Sequence, residues 1–135
     1  MARRLILDTG VLIAAERRPL GSLAESLGSD DDIAIAAITV AELRTGIELA
    51  TARYRAARAE FLVKVLETLP VEPYDVAVAQ AHGRLLAHVH RSGTKRGAHD
   101  LIIAATAIAT RRIVITTDRS AQMQDLPGVD SFLVD

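Results

Sequence analysis

The chain has 135 residues, half of them hydrophobic and none of them cysteine. That is enough to bury one compact core, and it excludes both a disulfide framework and a thiolate metal site. With 16 basic residues against 17 acidic ones the formal charge is −1, so no overall positive field favours a nucleic-acid partner and any such contact must be local.

In chain order, Met1-Ala2-Arg3-Arg4 leads directly into a short apolar run. The run is well below the roughly 20 residues of a membrane span. Glu16-Arg17-Arg18 and Pro19 follow it in place of a signal-peptide cleavage region, so a soluble cytoplasmic protein is expected. Four runs rich in Ile, Val and Leu read as strands: Leu5 to Leu7, Ile33 to Ala36, Ile113 to Thr116 and Phe132 to Val134. Their continuous apolar character, without alternation, suits strands covered on both faces of a parallel sheet.

Between these strands, Tyr54, Ala57, Phe61, Leu62 and Val65 recur at helical spacing, as do Val78, Ala81, Leu85, Leu86 and Val89. The two stretches are expected to form a helical hairpin across Pro70 to Pro73, with Phe61 and Leu62 serving either a protein interface or the core. A third helix, Leu101 to Thr110, is apolar nearly all round and should run through the centre, with Arg111-Arg112 at its negative dipole end. Residues 28–32 and 92–97 read as exposed loops. Alternating strands and helices predict a single α/β domain over residues 1–135, with its site outside the carboxyl ends of the strands.

Four acids occupy apolar settings. Asp8 stands where the first strand meets a helix, Glu42 lies in Ile38-Thr39-Val40-Ala41-Glu42-Leu43, Asp100 precedes Leu101-Ile102-Ile103, and Asp118 closes Ile113 to Thr117. Two carboxylates about 4 Å apart repel by roughly 4 kcal/mol at an effective dielectric of 20, so converging acids call for a cation. Hard cations such as Mg²⁺ or Mn²⁺ take oxygen ligands, and one or two carboxylates held directly suffice for Mg²⁺. Thr9 and Thr116, each close in sequence to an acid, are candidates to orient a carboxylate through a hydroxyl.

Structural readings compete with this one. Thr39-x-x-Glu42 has the form of a capping box, Asp100 suits the first turn of a helix, and Asp118 can open a turn before Arg119-Ser120. Asp8 has the weakest such alternative, because a carboxylate between Leu7 and Val11 does not easily reach water.

In order and spacing, Leu7-Asp8-Thr9-Gly10-Val11-Leu12-Ile13, Thr39-Val40-Ala41-Glu42-Leu43-Arg44-Thr45-Gly46, Asp100 to Ala107 and Thr116-Thr117-Asp118 resemble the PIN-domain ribonucleases. In its small size the chain is similar to the VapC toxins of toxin–antitoxin pairs. The resemblance implies a three-layer α/β/α sandwich with a short central parallel sheet and Mg²⁺- or Mn²⁺-dependent endoribonuclease activity. It also implies metal coordination by Asp8, Glu42, Asp100 and Asp118, a homodimer, and a cognate antitoxin covering the acidic groove. Two departures stand out: Gly10 occupies a position where the family commonly has Ser or Asn, and Arg119-Ser120 follows Asp118 where a further acid and a Phe are common.

Other residues invite functional readings. His82, His88 and His90 fall on one helix, but their spacings of six and two do not share a face, which argues against a zinc site. His99, beside Asp100, either approaches the substrate or caps its helix, and the cap is the expectation. Lys95 and Arg96, in the loop before Asp100, are candidate RNA-phosphate contacts. Two other function classes fit parts of the sequence. Asp8-Thr9-Gly10 is the tripeptide of an aspartic-protease half-chain, and acids used only as caps and turns would leave a non-catalytic binding module.

Overall fold

A computed structural model of the chain describes residues 2–17 and 27–134; Arg18 and Pro19, used above to argue against a signal peptide, lie outside these residues. Five strands form one parallel sheet: β1 (Arg4–Leu7), β2 (Asp32–Ala36), β3 (Val71–Glu72), β4 (Ile113–Thr116) and β5 (Ser131–Leu133), in the order β3-β2-β1-β4-β5. The chain winds outward from β1 to β3, then returns to place β4 on the other side of β1. The strand order therefore reverses between β1 and β4, the position where sheets of this kind open a crevice at their carboxyl ends.

Helices cover both faces. On one side lie α1 (Thr9–Arg17), α2 (Ala37–Leu49) and α3 (Ala52–Thr68); on the other lie α4 (Val76–Ser92) and α5 (Ala98–Thr110). Successive side chains of a strand point to opposite faces. Accordingly, Leu5 and Leu7 join Val11, Leu43, Ile47, Leu62 and Val65 in one core, while Ile6 joins Val78, Ala81, Leu85 and Ile103 in the other. The α/β/α sandwich expected from the sequence is the observed architecture. Among the described residues, no helix is long and apolar enough to cross a membrane.

The two core layers overturn one expectation. α3 and α4 form no hairpin across Pro70 to Pro73, because the edge strand β3 lies between them and they pack on opposite faces of the sheet. The helices that pair are α2 with α3, joined through Ala50 and Thr51, and α4 with α5. Asp75 starts α4 by accepting a hydrogen bond from the Val78 amide at 3.0 Å. Gly93 ends it in the left-handed conformation, φ 69°, which a residue without Cβ adopts at little cost.

Leu62 is buried in the core, so it is withdrawn as an interface residue, whereas Phe61 lines a surface cleft. The central α5 is as buried as its composition predicts. Ile103 is fully enclosed, and its truncation to Ala would cost about 2–5 kcal/mol.

Arg112 does more than complement a helix dipole. Its side chain, 4% exposed, ion-pairs with Asp32 and Glu72 and donates to the carbonyl oxygens of Leu5 and Asp32. A guanidinium with five donors can tie several strands together from one position. Arg3–Asp31 at 2.7 Å and Arg4–Asp32 at 2.8 Å complete a band of pairs around the starts of β1 and β2.

Candidate active site

The acids converge from four elements at the carboxyl ends of β1 and β4. Asp8 follows β1 and is 6% exposed. It stays there because its amide donates to the Ile115 carbonyl at 2.9 Å, which extends the β1–β4 pairing one residue past the strand. Asp118 follows β4, Glu42 projects from α2 and Asp100 from the first turn of α5. α2 can deliver Glu42 because it touches both layers: Ile38 packs on the α4–α5 core, while Leu43 and Ile47 belong to the other.

Hydroxyl groups hold these carboxylates. Thr116 Oγ1 donates to Asp8 Oδ2 at 2.9 Å and accepts from the Asp118 amide at 3.0 Å, so one buried hydroxyl joins the acids on both sides of the crevice. Thr9 Oγ1 donates to Glu42 Oε1 at 2.7 Å and lies 3.0 Å from Thr39 Oγ1. Each hydroxyl donates to the carboxylate of an acid distant in sequence, Thr9 to Glu42 and Thr116 to Asp8, and not to that of the acid beside it. Thr39 is a further member, fully buried inside α2, whose presence in the apparent capping box was the available signal.

The capping box itself does not form. α2 begins at Ala37, two residues before Thr39, with no side-chain bond at its cap, which leaves Glu42 available to the site. Asp100 does lie in a first helical turn, but the cap residue, Gly97, accepts no side-chain bond. Asp118 combines both readings: its Oδ1 accepts from the Ser120 amide at 2.9 Å and from the Ser120 hydroxyl, capping the short turn Arg119–Ala121.

Two of the acids feel the charges of the others. Burial pushes the Asp8 carboxyl above its ordinary pKa, opposed by the Thr116 hydroxyl and the Thr9 amide and reinforced by the charges of Glu42 and Asp118. Burial likewise raises Asp100, and the charges of Asp8, Asp118 and Glu42 add to the effect while His99 opposes it. Among the described residues none of the four acids pairs with Lys or Arg; a basic side chain at the site is His99, whose Nδ1 lies 3.3 Å from Glu42 Oε2. His99 therefore faces the site instead of capping its helix.

An all-oxygen donor set that repels itself fits a hard divalent cation. Among the described residues no three His, Cys, Asp or Glu side chains close into a ready-made cage. Mutual repulsion keeps like charges apart, and a cation that retains several waters needs only one or two direct carboxylates, with the others reaching it through water.

Of the remaining candidates, His82 is engaged by the Tyr74 hydroxyl at 2.8 Å and belongs to no metal-binding group among the described residues. Lys95 is exposed in the loop before α5. Arg96 Nη1 donates to the carbonyl oxygens of Ala121 and Gln122. The aspartic-protease alternative fails on local structure: Thr9 and Gly10 enter α1, and the sheet that carries Asp8 is parallel and covered by helices. Gly10 leaves the space a side chain would fill in ordinary contact with Thr117 Oγ1, 3.5 Å from an ideal Cβ.

The chain is thus a parallel-sheet α/β/α sandwich with four acids gathered at its strand-order reversal. The PIN domain family model matches residues 5–126. Ribonuclease VapC5 of Mycobacterium tuberculosis is 39% identical over 116 residues, covering 84% of this chain and 82% of that one. Among solved structures, the VapBC-5 toxin–antitoxin complex of the same organism superposes with a TM-score of 0.80 at 32% identity, covering 97% and 98% of the two chains. VapBC2 from Rickettsia felis, bound to a promoter DNA fragment, shares the fold with a TM-score of 0.88 at 23% identity over 98% and 99%. The chain belongs to the PIN-domain family.

Proposed function

We propose that this protein is a divalent-cation-dependent endoribonuclease of VapC type, the cytoplasmic toxin of a toxin–antitoxin pair, hydrolysing RNA phosphodiester bonds. The observation that carries the reading is the convergence of Asp8, Glu42, Asp100 and Asp118, without a Lys or Arg partner among the described residues, at the carboxyl ends of β1 and β4. When bound, Mg²⁺ or Mn²⁺ supplies positive charge for the scissile phosphate and lowers the pKa of the attacking water.

The chain's own contribution is placement. Thr116 fixes the rotamer of Asp8, Thr9 fixes Glu42, and the Ser120 amide and hydroxyl hold Asp118. Burial raises the pKa of Asp8 and Asp100, and a bound cation would favour their charged forms.

A cleft of about 460 Å³ runs from Glu42 between α1, α2 and α3, lined by Ile13, Leu43, Tyr54 and Phe61 with Arg17 and Arg58 at its margins. We assign it to the cognate antitoxin, one basic side chain of which would stand in for the cation. Val63 and Leu66, exposed on α3 near Phe61, fit the contact of a homodimer.

The experiment is cleavage of a mixed structured RNA by purified protein with Mg²⁺, Mn²⁺ or EDTA, beside Asp8→Asn. Cation-dependent cuts that vanish in the variant are expected. Cuts that persist in EDTA or in Asp8→Asn would overturn the mechanism, and an intact RNA under all conditions would return the acids to a binding module.

A further inference from the structure

Two of the acids reach the site on segments that no backbone hydrogen bond connects. Among the described residues, no such bond joins residues 93–97, which lead into α5 and Asp100, to residues 118–122, which carry Asp118. Arg96 provides the connection. Its Nη1 donates to the Ala121 carbonyl and, at 2.8 Å, to the Gln122 carbonyl. Gln122 takes the left-handed conformation at φ 48°, which turns the chain back toward the core, and Ala121 and Met123 on either side of it are buried beside α5. The guanidinium is therefore committed to a turn three residues beyond Asp118, while its own backbone lies four residues before Asp100.

The neighbouring Gly97 acts on the same acid by what it lacks. A Cβ at this position would lie 2.7 Å from Asp100 Oδ2 and 3.3 Å from Cγ, distances at which the carboxylate must move. The Asp100 side chain folds into the space this glycine leaves. We propose that Arg96 and Gly97 are positioning residues of the acidic site: Arg96 sets the distance between the Asp100 and Asp118 segments, and Gly97 sets the rotamer of Asp100. The inference rests on the reading of the acids as a cation site and adds to it the residues that fix its geometry. It also reassigns Arg96 from an RNA contact to a tether.

The test is calorimetric titration of Mn²⁺ into the metal-free full chain, comparing wild type with Arg96→Met, Arg96→Lys and Gly97→Ala. Partners that orient metal-holding groups are worth about 10–100-fold in affinity. Arg96→Met and Gly97→Ala are expected to bind Mn²⁺ about tenfold more weakly, with Arg96→Lys recovering part of the loss through a single ammonium donor. The KM for RNA at saturating Mn²⁺, and its salt dependence, should not move.

Unchanged Mn²⁺ affinity in Arg96→Met and Gly97→Ala beside a wild type that binds would overturn the positioning role alone. So would a raised KM with a salt slope reduced by about 1, the mark of a lost phosphate contact. A wild type that binds no Mn²⁺ would overturn this inference together with the cation site. If Arg96→Met unfolds, Arg96→Lys and Gly97→Ala carry the same comparison.

Discussion

The two ends of the central sheet carry opposite treatments of charge. Around the starts of β1, β2 and β4, carboxylates meet guanidinium groups: Asp31 meets Arg3, Asp32 meets Arg4 and Arg112, and Glu72 reaches Arg112 from the edge strand. At the carboxyl ends Asp8, Glu42, Asp100 and Asp118 gather, and hydroxyls or an amide orient Asp8, Glu42 and Asp118 without neutralising them. The pKa shifts follow: Arg3 and the Gly28 amide pull Asp31 well below the usual carboxylate range, while burial, with like charge, raises Asp8 and Asp100 from their ordinary values. Paired charge at one end holds strands together, and on the proposed function a cation would offset the unpaired charge at the other.

The largest expected effect breaks the paired end. Arg112→Met keeps much of the side-chain volume but leaves Glu72 and two backbone carbonyls without their donor. Removing one partner of a buried pair costs 3–5 kcal/mol, and the loss here should be about 3 kcal/mol because Asp32 is half exposed. Urea denaturation measures it; a loss below about 1 kcal/mol would make the network incidental.

At the acidic end, Thr116→Val removes the hydroxyl that joins Asp8 to the Asp118 amide. The cation concentration required for half-maximal RNA cleavage should rise about tenfold, and the melting temperature in EDTA should fall, reflecting a loss of about 1–3 kcal/mol of stability for the partners left unsatisfied. A variant with the wild-type cation requirement would show that the carboxylates need no such support.

A smaller effect appears in the pH dependence of melting in EDTA, where the two ends have opposite signs. For Asp8 and Asp100 the folded pKa lies above the unfolded one. Between those values the folded state holds more protons, so stability falls as pH rises through the window and stays lower above it. For Asp31 the folded pKa lies below the unfolded one, so its contribution is present above the ordinary carboxylate range and is lost in acid. Asp8→Asn should flatten the falling limb, and Asp31→Asn should remove part of the rise from acid. A falling limb unaltered by Asp8→Asn would contradict the assignment of the raised group. The smallest effect belongs to the exposed Arg44–Glu48 pair on α2, at neither end: Arg44→Ala should change stability by less than about 0.5 kcal/mol.

Much of this contrast is written locally in the chain. β1, β2, β4 and α5 are legible because apolar runs and an all-round apolar helix describe burial on both faces, whereas Phe132 and Leu133 of β5, expected to be covered, are exposed at the sheet edge. Asp8 is legible for the same reason, since an acid flanked by Leu7 and Val11 stands out. Features that depend on partners far along the chain are not. The two-residue β3 has too few positions to show a period, so α3 and α4 read as a hairpin when the sheet separates them. Thr39-x-x-Glu42 has the pattern of a cap, but the helix starts at Ala37 and turns both side chains toward Thr9. Arg96 and Arg112 look alike in sequence to any surface arginine, and only the folded chain shows their carbonyl acceptors.

The most direct test of the acidic end as a cation site is thermal melting of wild type and Asp8→Asn at neutral pH, in EDTA and in excess Mn²⁺. Binding to the folded state alone adds about 2.7 kcal/mol at a hundredfold excess over Kd. The account predicts a clear rise with Mn²⁺ for wild type, little or none for Asp8→Asn, and a variant at least as stable as wild type in EDTA. A wild-type melting temperature indifferent to Mn²⁺, or an Asp8→Asn chain less stable than wild type without metal, would contradict it.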